Sequence, residues 1–175
     1  MYAVPLTADA ELRPLEPWQA AEFLAHVEKA RADIVRYIPW AAIVVDEESA
    51  RGFLQTYADR QAADGGRIDG IWLAGELVGG VLFRTFDPAA GTCEIGVWLA
   101  AHAQGQGLVS RACQVLIEWA IGPRGLYRVE WKCAPDNEPS KAVARRLGMS
   151  FEGTLRSAFP TPAGRQDLEV WSLVS

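Results

Sequence analysis

The stretch Cys93-Glu94-Ile95-Gly96-Val97-Trp98-Leu99-Ala100-Ala101-His102-Ala103-Gln104-Gly105-Gln106-Gly107-Leu108-Val109-Ser110 changes its period part-way along. Its opening alternates as a strand does. Cys93, Ile95, Val97 and Leu99 fall on one face, and Glu94, Gly96 and Trp98 on the other. Behind the stretch, Leu108, Ala112, Val115, Leu116 and Trp119 recur at helical spacing. Between the two lies the loop Gln104-Gly105-Gln106-Gly107. Strand, glycine loop and helix in that order suit an anion. The first N–H groups of a helix lack internal partners and sit at the positive end of its dipole. Glycines let a ligand approach the backbone, because no Cβ stands in the way. No acidic residue lies between His102 and Ser110 to repel it.

Two other phosphate sites are tested by the same residues. A Walker loop needs Gly-Lys-Ser/Thr, which is absent. Gly105-Gln106-Gly107-Leu108-Val109-Ser110 comes near the dinucleotide fingerprint, with Ser110 in place of its last glycine. That fingerprint follows its strand at once and opens a βαβαβ half. Here five residues separate Leu99 from Gly105, and one strand–helix unit follows, so the dinucleotide reading is set aside.

The chain has 175 residues, within the range of one domain, and the expectation is a single domain over 1–175. Half of it is hydrophobic and 22% is charged, as in a soluble globular protein. The net charge of −5 gives no basic footprint for nucleic acid and is compatible with a cationic acceptor. Cys93, Cys113 and Cys133 form no CxxC or metal spacing, and His26 and His102 are the only histidines, so no metal is expected. No apolar run approaches 18 residues and no charged-then-apolar leader is evident. The expectation is a cytoplasmic protein with reduced thiols and no membrane partner.

The remaining elements follow from punctuation. Glu11 to Leu15 reads as a first strand between prolines. Trp18 to Lys29 reads as a helix that continues to Tyr37 and stops before Ile38-Pro39-Trp40. Asp46 caps a further helix to about Ala63, with Glu47 and Glu48 in its first turn. A meander follows, Ile68 to Ala74 and Leu77 to Phe86, joined by Gly75-Glu76. Tyr127 to Cys133 alternates as a strand, and Ser140 to Leu147 reads as a short helix. Met149 to Ala158 and Arg165 to Leu173 read as a last hairpin with a long loop, Phe159 to Gly164. Trp72, Trp119, Trp131 and Trp171 are assigned to the core, and His102 to a solvated loop. The pattern predicts a three-layer α/β domain with a mixed sheet.

Several of these segments together are similar to a known family. Leu12-Arg13-Pro14-Leu15, Tyr37-Ile38-Pro39-Trp40, Cys93-Glu94-Ile95-Gly96-Val97-Trp98-Leu99, Gln104-Gly105-Gln106-Gly107, Asp136-Asn137-Glu138-Pro139-Ser140 and Arg146-Leu147-Gly148-Met149 occur in order. They resemble the GCN5-related N-acetyltransferases (GNAT), in the branch that acetylates ribosomal-protein N-termini (RimJ/RimL type). The resemblance covers nearly the whole chain. It implies a mostly antiparallel sheet with helices on both faces and a splayed central strand pair. It implies acetyl-CoA as donor and no metal. Backbone amides of Gln104, Gly105, Gln106, Gly107, Leu108, Val109 and Ser110 would hold the pyrophosphate. Val97, Trp98 and Leu99 would pair with the pantetheine arm, and Asn137 would hydrogen-bond it near the thioester.

The same resemblance implies catalytic roles for Glu94, as general base, and Ser140, as donor of a proton to the leaving thiolate. The superfamily often has a tyrosine seven residues after the asparagine; here that residue is Ala144. Val109 also departs from the small last residue of the superfamily's loop pattern. Each residue has a structural alternative. Glu94 also suits pairing with an arginine, and Asn137 and Ser140 suit a helix start. Tyr37 and Trp40, on a proline-bounded loop, suit either core packing or a substrate-binding wall. Cys133, at the end of its strand, is either packed or close enough to the pantetheine thiol for a mixed disulfide.

The acceptor is read from acid–base magnitudes. An α-amine with a pKa of about 7.7 is roughly one-sixth neutral at pH 7, whereas a lysine at about 10.4 is almost wholly charged. One carboxylate base therefore suits a protein or peptide α-amine, a ribosomal-protein N-terminus by the resemblance. Two alternatives stay open: a small-molecule amine or antibiotic as acceptor, and a non-catalytic acyl-CoA-binding module. The protein is expected to be a monomer or homodimer.

Overall fold

The computed structural model describes residues 3–161 and 164–175. One eight-stranded sheet runs through it in the order β1-β2-β3-β4-β5-β6-β8-β7. The strands are β1 (Val4–Pro5), β2 (Ala10–Pro14), β3 (Ile68–Leu73), β4 (Glu76–Asp87), β5 (Thr92–Leu99), β6 (Arg128–Cys133), β7 (Ser150–Thr161) and β8 (Gly164–Val174). Neighbours are antiparallel except β5 and β6. The helices are α1 (Ala20–Ile34), α2 (Glu47–Ala62), α3 (Leu108–Ile121) and α4 (Glu138–Arg146).

The alternation of β5 divides the core in two. Cys93 and Ile95 face α3, joining Leu108, Ala112, Cys113, Leu116 and Ile117. Trp98 faces the other way, onto Phe23, Val27 and Ile34 of α1 and Leu54 and Tyr57 of α2. Each layer follows from a helical stripe. On α1 the buried set Phe23, His26, Val27, Ala30 and Ile34 recurs every three or four residues. Burying each such large apolar side chain contributes on the order of 2 kcal/mol.

Helices start where the sequence supplies caps. Asp46 accepts from the Ser49 backbone N–H at 2.8 Å, and the Ser49 hydroxyl accepts from the Asp46 N–H at 3.0 Å, so α2 opens on a reciprocal cap. Asn137 accepts from the Ser140 N–H at 3.2 Å, so α4 begins at Glu138, two residues before the expected Ser140.

Other boundaries also differ from expectation. Residues 17–19 form a separate single turn, and α1 runs from Ala20 to Ile34, starting after the expected Trp18 and stopping before the expected Tyr37. The β3–β4 hairpin turns on Ala74-Gly75 rather than Gly75-Glu76. Both residues have positive φ, at 50° and 84°, and Leu73 pairs with Glu76. That conformation matches the twist of the flanking strands, which outweighs the steric cost at Ala74. β1 was not expected at all. The long loop expected over Phe159 to Gly164 is mostly strand, with Phe159 paired to Gln166 and Thr161 to Gly164. Pro162 and Ala163, in the same expected loop, lie outside the described residues. Trp72, Trp131 and Trp171 are core, but Trp119 is half-buried beneath the guanidiniums of Arg67 and Arg124.

Candidate active site

The parallel pair β5–β6 is where the sheet opens. Pairing runs Thr92↔Arg128, Cys93↔Val129, Glu94↔Glu130 and goes no further, although β5 continues to Leu99 and β6 to Cys133. From Ile95 onward one edge of β5 therefore faces a gap. A cavity of about 670 Å³ fills the gap, lined by Glu94 to Leu99 on one side and by Trp131 to Ala134 and Asn137 on the other. Exposed strand edge is a template for an extended ligand, because its N–H and C=O groups need partners.

At one end of the cavity stands the glycine loop. Gly105 and Gly107 have φ of 80° and 73°, a region that residues with a Cβ enter at a cost. Gly107 is the N-cap of α3, and no side chain caps that helix or places an acid in its first turn. Its first amides are thus left to solvent or to an anion. The guanidinium of Arg146, on α4, donates to the Ser110 hydroxyl at 3.2 Å and adds positive charge beside them. Gln104, Gly105, Gly107, Leu108, Val109 and Ser110 all line the cavity, whereas Gln106 does not. Leu108 itself is buried in the core, so only its backbone is available to a ligand.

In the middle lies Glu94, 6% exposed. Its Oε1 is 3.0 Å from Arg84 Nε, and its Oε2 accepts from Lys132 Nζ at 2.9 Å. Lys132 also pairs with Glu130 at 2.9 Å. Burial works against the Lys132 charge, but the hydrogen bonds to Glu130 and Glu94 outweigh it and hold its pKa above the usual lysine value. Glu94 thus pairs with two cations and also lines the cleft. Opposite, Ser140 accepts from the indole N–H of Trp131 at 2.9 Å, which leaves its own hydroxyl hydrogen to be donated. Cys133 also lines the cavity, and burial raises its thiol pKa.

The far end is built from α1, the turn at 39–42, α2 and the β7–β8 hairpin. Tyr37, Trp40, Tyr57, Arg60, Arg84, Phe159, Gln166 and Leu168 line it. Trp40 packs edge-on to Trp98 with centroids 5.2 Å apart and against Phe53 at 4.9 Å, and it is also cavity wall. Arg31 fixes the turn that carries it, donating to the carbonyl of Ala41 and to that of Val44 at 2.7 Å.

Sequence reasoning missed Arg84, Lys132, Arg60 and Arg31. A lone arginine inside the apolar run Leu77 to Phe86 was the available signal for Arg84. Neither histidine lines the cavity: His26 is buried behind Trp98, and His102 is exposed, as expected.

Comparison with known proteins decides the family. Residues 10–150 match the model of the acetyltransferase (GNAT) domain. The chain belongs to the GNAT acetyltransferase family. It is 35% identical over 119 residues to the ribosomal-protein-serine acetyltransferase of Escherichia coli (strain K12), covering 68% of this chain and 66% of that one. It is 31% identical over 178 residues to YdaF of Bacillus subtilis (strain 168), covering 99% and 96%. It superposes on RimL, a ribosomal α-N-protein acetyltransferase solved with coenzyme A in disulfide linkage to a cysteine. The TM-score is 0.92 at 25% identity, over 98% of this chain and 97% of that one. The protein is an acetyl-CoA-dependent N-acetyltransferase with the α/β GNAT fold. Among the described residues no cluster of His, Cys, Asp and Glu fits a metal ion, and no helix is long and apolar enough to cross a membrane.

Proposed function

We propose that this GNAT enzyme acetylates the α-amine of a protein or peptide N-terminus, of the ribosomal-protein type, in the cytoplasm. The observation that carries the reading is the composition of the cleft where the strands part. It holds one carboxylate at its centre, Glu94, and no histidine among its lining residues. Such a site suits an amine that is partly neutral at pH 7. The relatives that act on ribosomal proteins supply the acceptor class.

The donor supplies a thioester whose carbonyl carbon accepts the amine. In this reading the amides of the Gln104–Ser110 loop hold the pyrophosphate, with Arg146 as the neighbouring charge. The free edge of Val97, Trp98 and Leu99 pairs with the pantetheine arm. Asn137 uses its carbonyl oxygen to cap α4, which leaves its amide N–H groups for the same arm. The acceptor enters from the opposite end, between Tyr37, Trp40 and Arg84. Glu94 takes the amine proton, directly or through one water, while Arg84 and Lys132 keep the carboxylate fixed. Ser140, held by Trp131, donates a proton to the departing sulfur. Alignment of a neutral amine with the carbonyl is the main contribution asked of the site.

The test is tandem mass spectrometry of products from a peptide with a free Ser, Ala or Thr N-terminus and an internal lysine. Acetyl on the α-amine is the expected result. Acetyl on lysine alone overturns the reading, as does rapid turnover of a small amine antibiotic with no turnover of peptide.

A further inference from the structure

The acceptor end of the cleft has a charge opposite to that of the protein as a whole. The chain carries −5, which would favour a cationic acceptor. Yet the lining at this end brings Arg60, Arg84 and Lys132 against Asp33 and Glu94. The acids that neutralise the outer part of the network, Glu130 and Glu152, do not line the cavity.

Arg84 is aimed into the cleft by an irregularity of the sheet. Phe83 pairs with Ile95 and Thr85 with Glu94, so β4 advances two residues where β5 advances one. Arg84 is the surplus residue. A bulge of this kind increases local twist and redirects a side chain, and bulges gather beside active sites. The stem of Arg84 crosses the bare face of Gly96. A Cβ added at Gly96 would stand 3.0 Å from Arg84 Cγ and 3.2 Å from its Cδ. Its Nε faces Glu94, its guanidinium lies 5.9 Å from the Phe159 ring, and its side chain keeps 47% of its surface open. Glu94 is its one acidic partner among the described residues, and Lys132 shares that carboxylate.

Arg60 comes from a different element, α2. Its guanidinium stands 5.1 Å from the centre of the Tyr57 ring, and no carboxylate pairs with it among the described residues. Both arginines line the same cavity, together with Tyr57. Neutralising Glu94 accounts for Arg84 but not for Arg60. Arg60 contacts the neutral Tyr57 phenol and Arg84 turns its Nε to Glu94, so each planar guanidinium keeps further N–H groups of the kind that recognise a carboxylate.

We infer that Arg60 and Arg84 form a subsite for an acidic side chain of the acceptor, so that the preferred substrate is an N-terminus with a carboxylate close behind its first residue. This rests on the N-terminal reading above and adds the substrate class to it. The amine then lies toward Glu94 and Asp33, and the acidic side chain toward the arginines.

Peptides that differ only at the second or third residue test it: Asp, its neutral isostere Asn, and Lys, behind a free N-terminal Ser. The wild-type enzyme is expected to favour the Asp peptide over the Asn peptide by about tenfold in kcat/KM, carried by KM, as one charge-assisted contact would give. Arg60→Gln and Arg84→Gln should each bring the ratio toward one, and Arg60→Glu should turn the preference to Lys. Because Arg84 touches Glu94, Arg84→Gln lowers all rates together, and the ratio within each variant removes that effect. Circular dichroism confirms that each variant is folded. Equal turnover of the Asp and Asn peptides by the wild type overturns the subsite, as does a preference that survives both substitutions. Failure of every peptide is a different result and overturns the N-terminal reading itself. Turnover confined to phosphorylated small amines assigns the arginines to phosphate and overturns the peptide subsite.

Discussion

Trp98 donates its indole N–H to Nε2 of His26 at 3.0 Å, tying the strand that borders the cleft to α1. The bond requires an unprotonated Nε2, so His26 is neutral. Trp98 in turn sets the face against which Trp40 packs. Its ring occupies the space over Gly80, where an added Cβ would lie 2.2 Å from it. A buried histidine thus holds an aromatic residue of the cavity wall without lining the cavity itself.

Burial pushes the His26 pKa down from 6.5 to about 4, against upward pulls from the Leu77 backbone and Glu76. Unfolded chain takes this proton near pH 6.5 and folded chain only near 4. In between, the unfolded state binds more protons, so stability falls as pH falls. The contribution is fully present above the unfolded value and lost as pH drops through the folded one. It is on the order of 3 kcal/mol. We expect wild-type stability to drop more steeply from pH 6.5 to 4 than that of His26→Gln, which keeps an acceptor but cannot titrate. Urea denaturation at stepped pH measures it, and parallel curves would remove His26 from the account.

The glycine loop before α3 makes a prediction that separates charge from strain. Gly107 has a φ of 73°, so any replacement there carries a backbone cost, while its Cβ direction is open space. Gly107→Asn tolerates the conformation and keeps the charge neutral. Gly107→Glu adds a negative charge at the first amides of α3. Calorimetry should show acetyl-CoA binding weakened well over tenfold, on the order of 2 kcal/mol, in Gly107→Glu and much less in Gly107→Asn. Equal affinities in the two folded variants would detach the pyrophosphate from this loop.

Residues whose neighbours lie close in sequence were the legible ones. The period change between Leu99 and Leu108 located β5, the loop and α3, and Asp46 and Asn137 announced the helices they cap. Glu94 could be placed on the right face of its strand, together with Trp98, by alternation alone. What alternation could not give is a bulge, because the surplus residue at Arg84 is defined only by its pairing with β5. Nor could it give Lys132 as a partner of Glu94, since that contact spans 38 residues and depends on where the parallel pair stops. Net charge is blind to the cleft for the same reason: it averages over the whole chain, while the cavity is lined by Arg60, Arg84 and Lys132 as well as Asp33 and Glu94.

Glu94 is the next test. Glu94→Gln keeps the shape but removes the base, and Lys132 retains Glu130 as a partner. We expect kcat to fall about 10²-fold with acetyl-CoA affinity little changed. The deficit should narrow as pH rises, because the amine then deprotonates without help. Steady-state rates from pH 6.5 to 9 measure this, with thermal melts as a check on folding. A wild-type kcat at pH 7 would reduce Glu94 to a structural member of the Arg84–Lys132 network.

Cys133 makes the last prediction, and it concerns geometry more than catalysis. Of the three buried cysteines, Cys133 lines the cavity; Cys93 and Cys113 do not. If pantetheine follows the free edge of β5, its sulfur ends near Cys133. Coenzyme A disulfide is the probe. The Cys133 thiolate attacks one sulfur of that disulfide, a new S–S bond joins the protein to coenzyme A, and the second coenzyme A leaves as thiolate. Burial raises the Cys133 pKa, so thiolate is scarce at neutral pH and the adduct should form faster as pH rises toward 9. Burial raises Cys93 further, to about 12, and Cys113 lies wholly within the core, so neither should react. Peptide mapping by mass spectrometry should find one coenzyme A on Cys133, released by reductant together with recovery of activity. Cys133→Ala should still transfer acetyl, since the amine attacks the thioester directly. No adduct at pH 9, or an adduct on Cys93 or Cys113, would show that the pantetheine arm does not run where the parting of β5 and β6 places it.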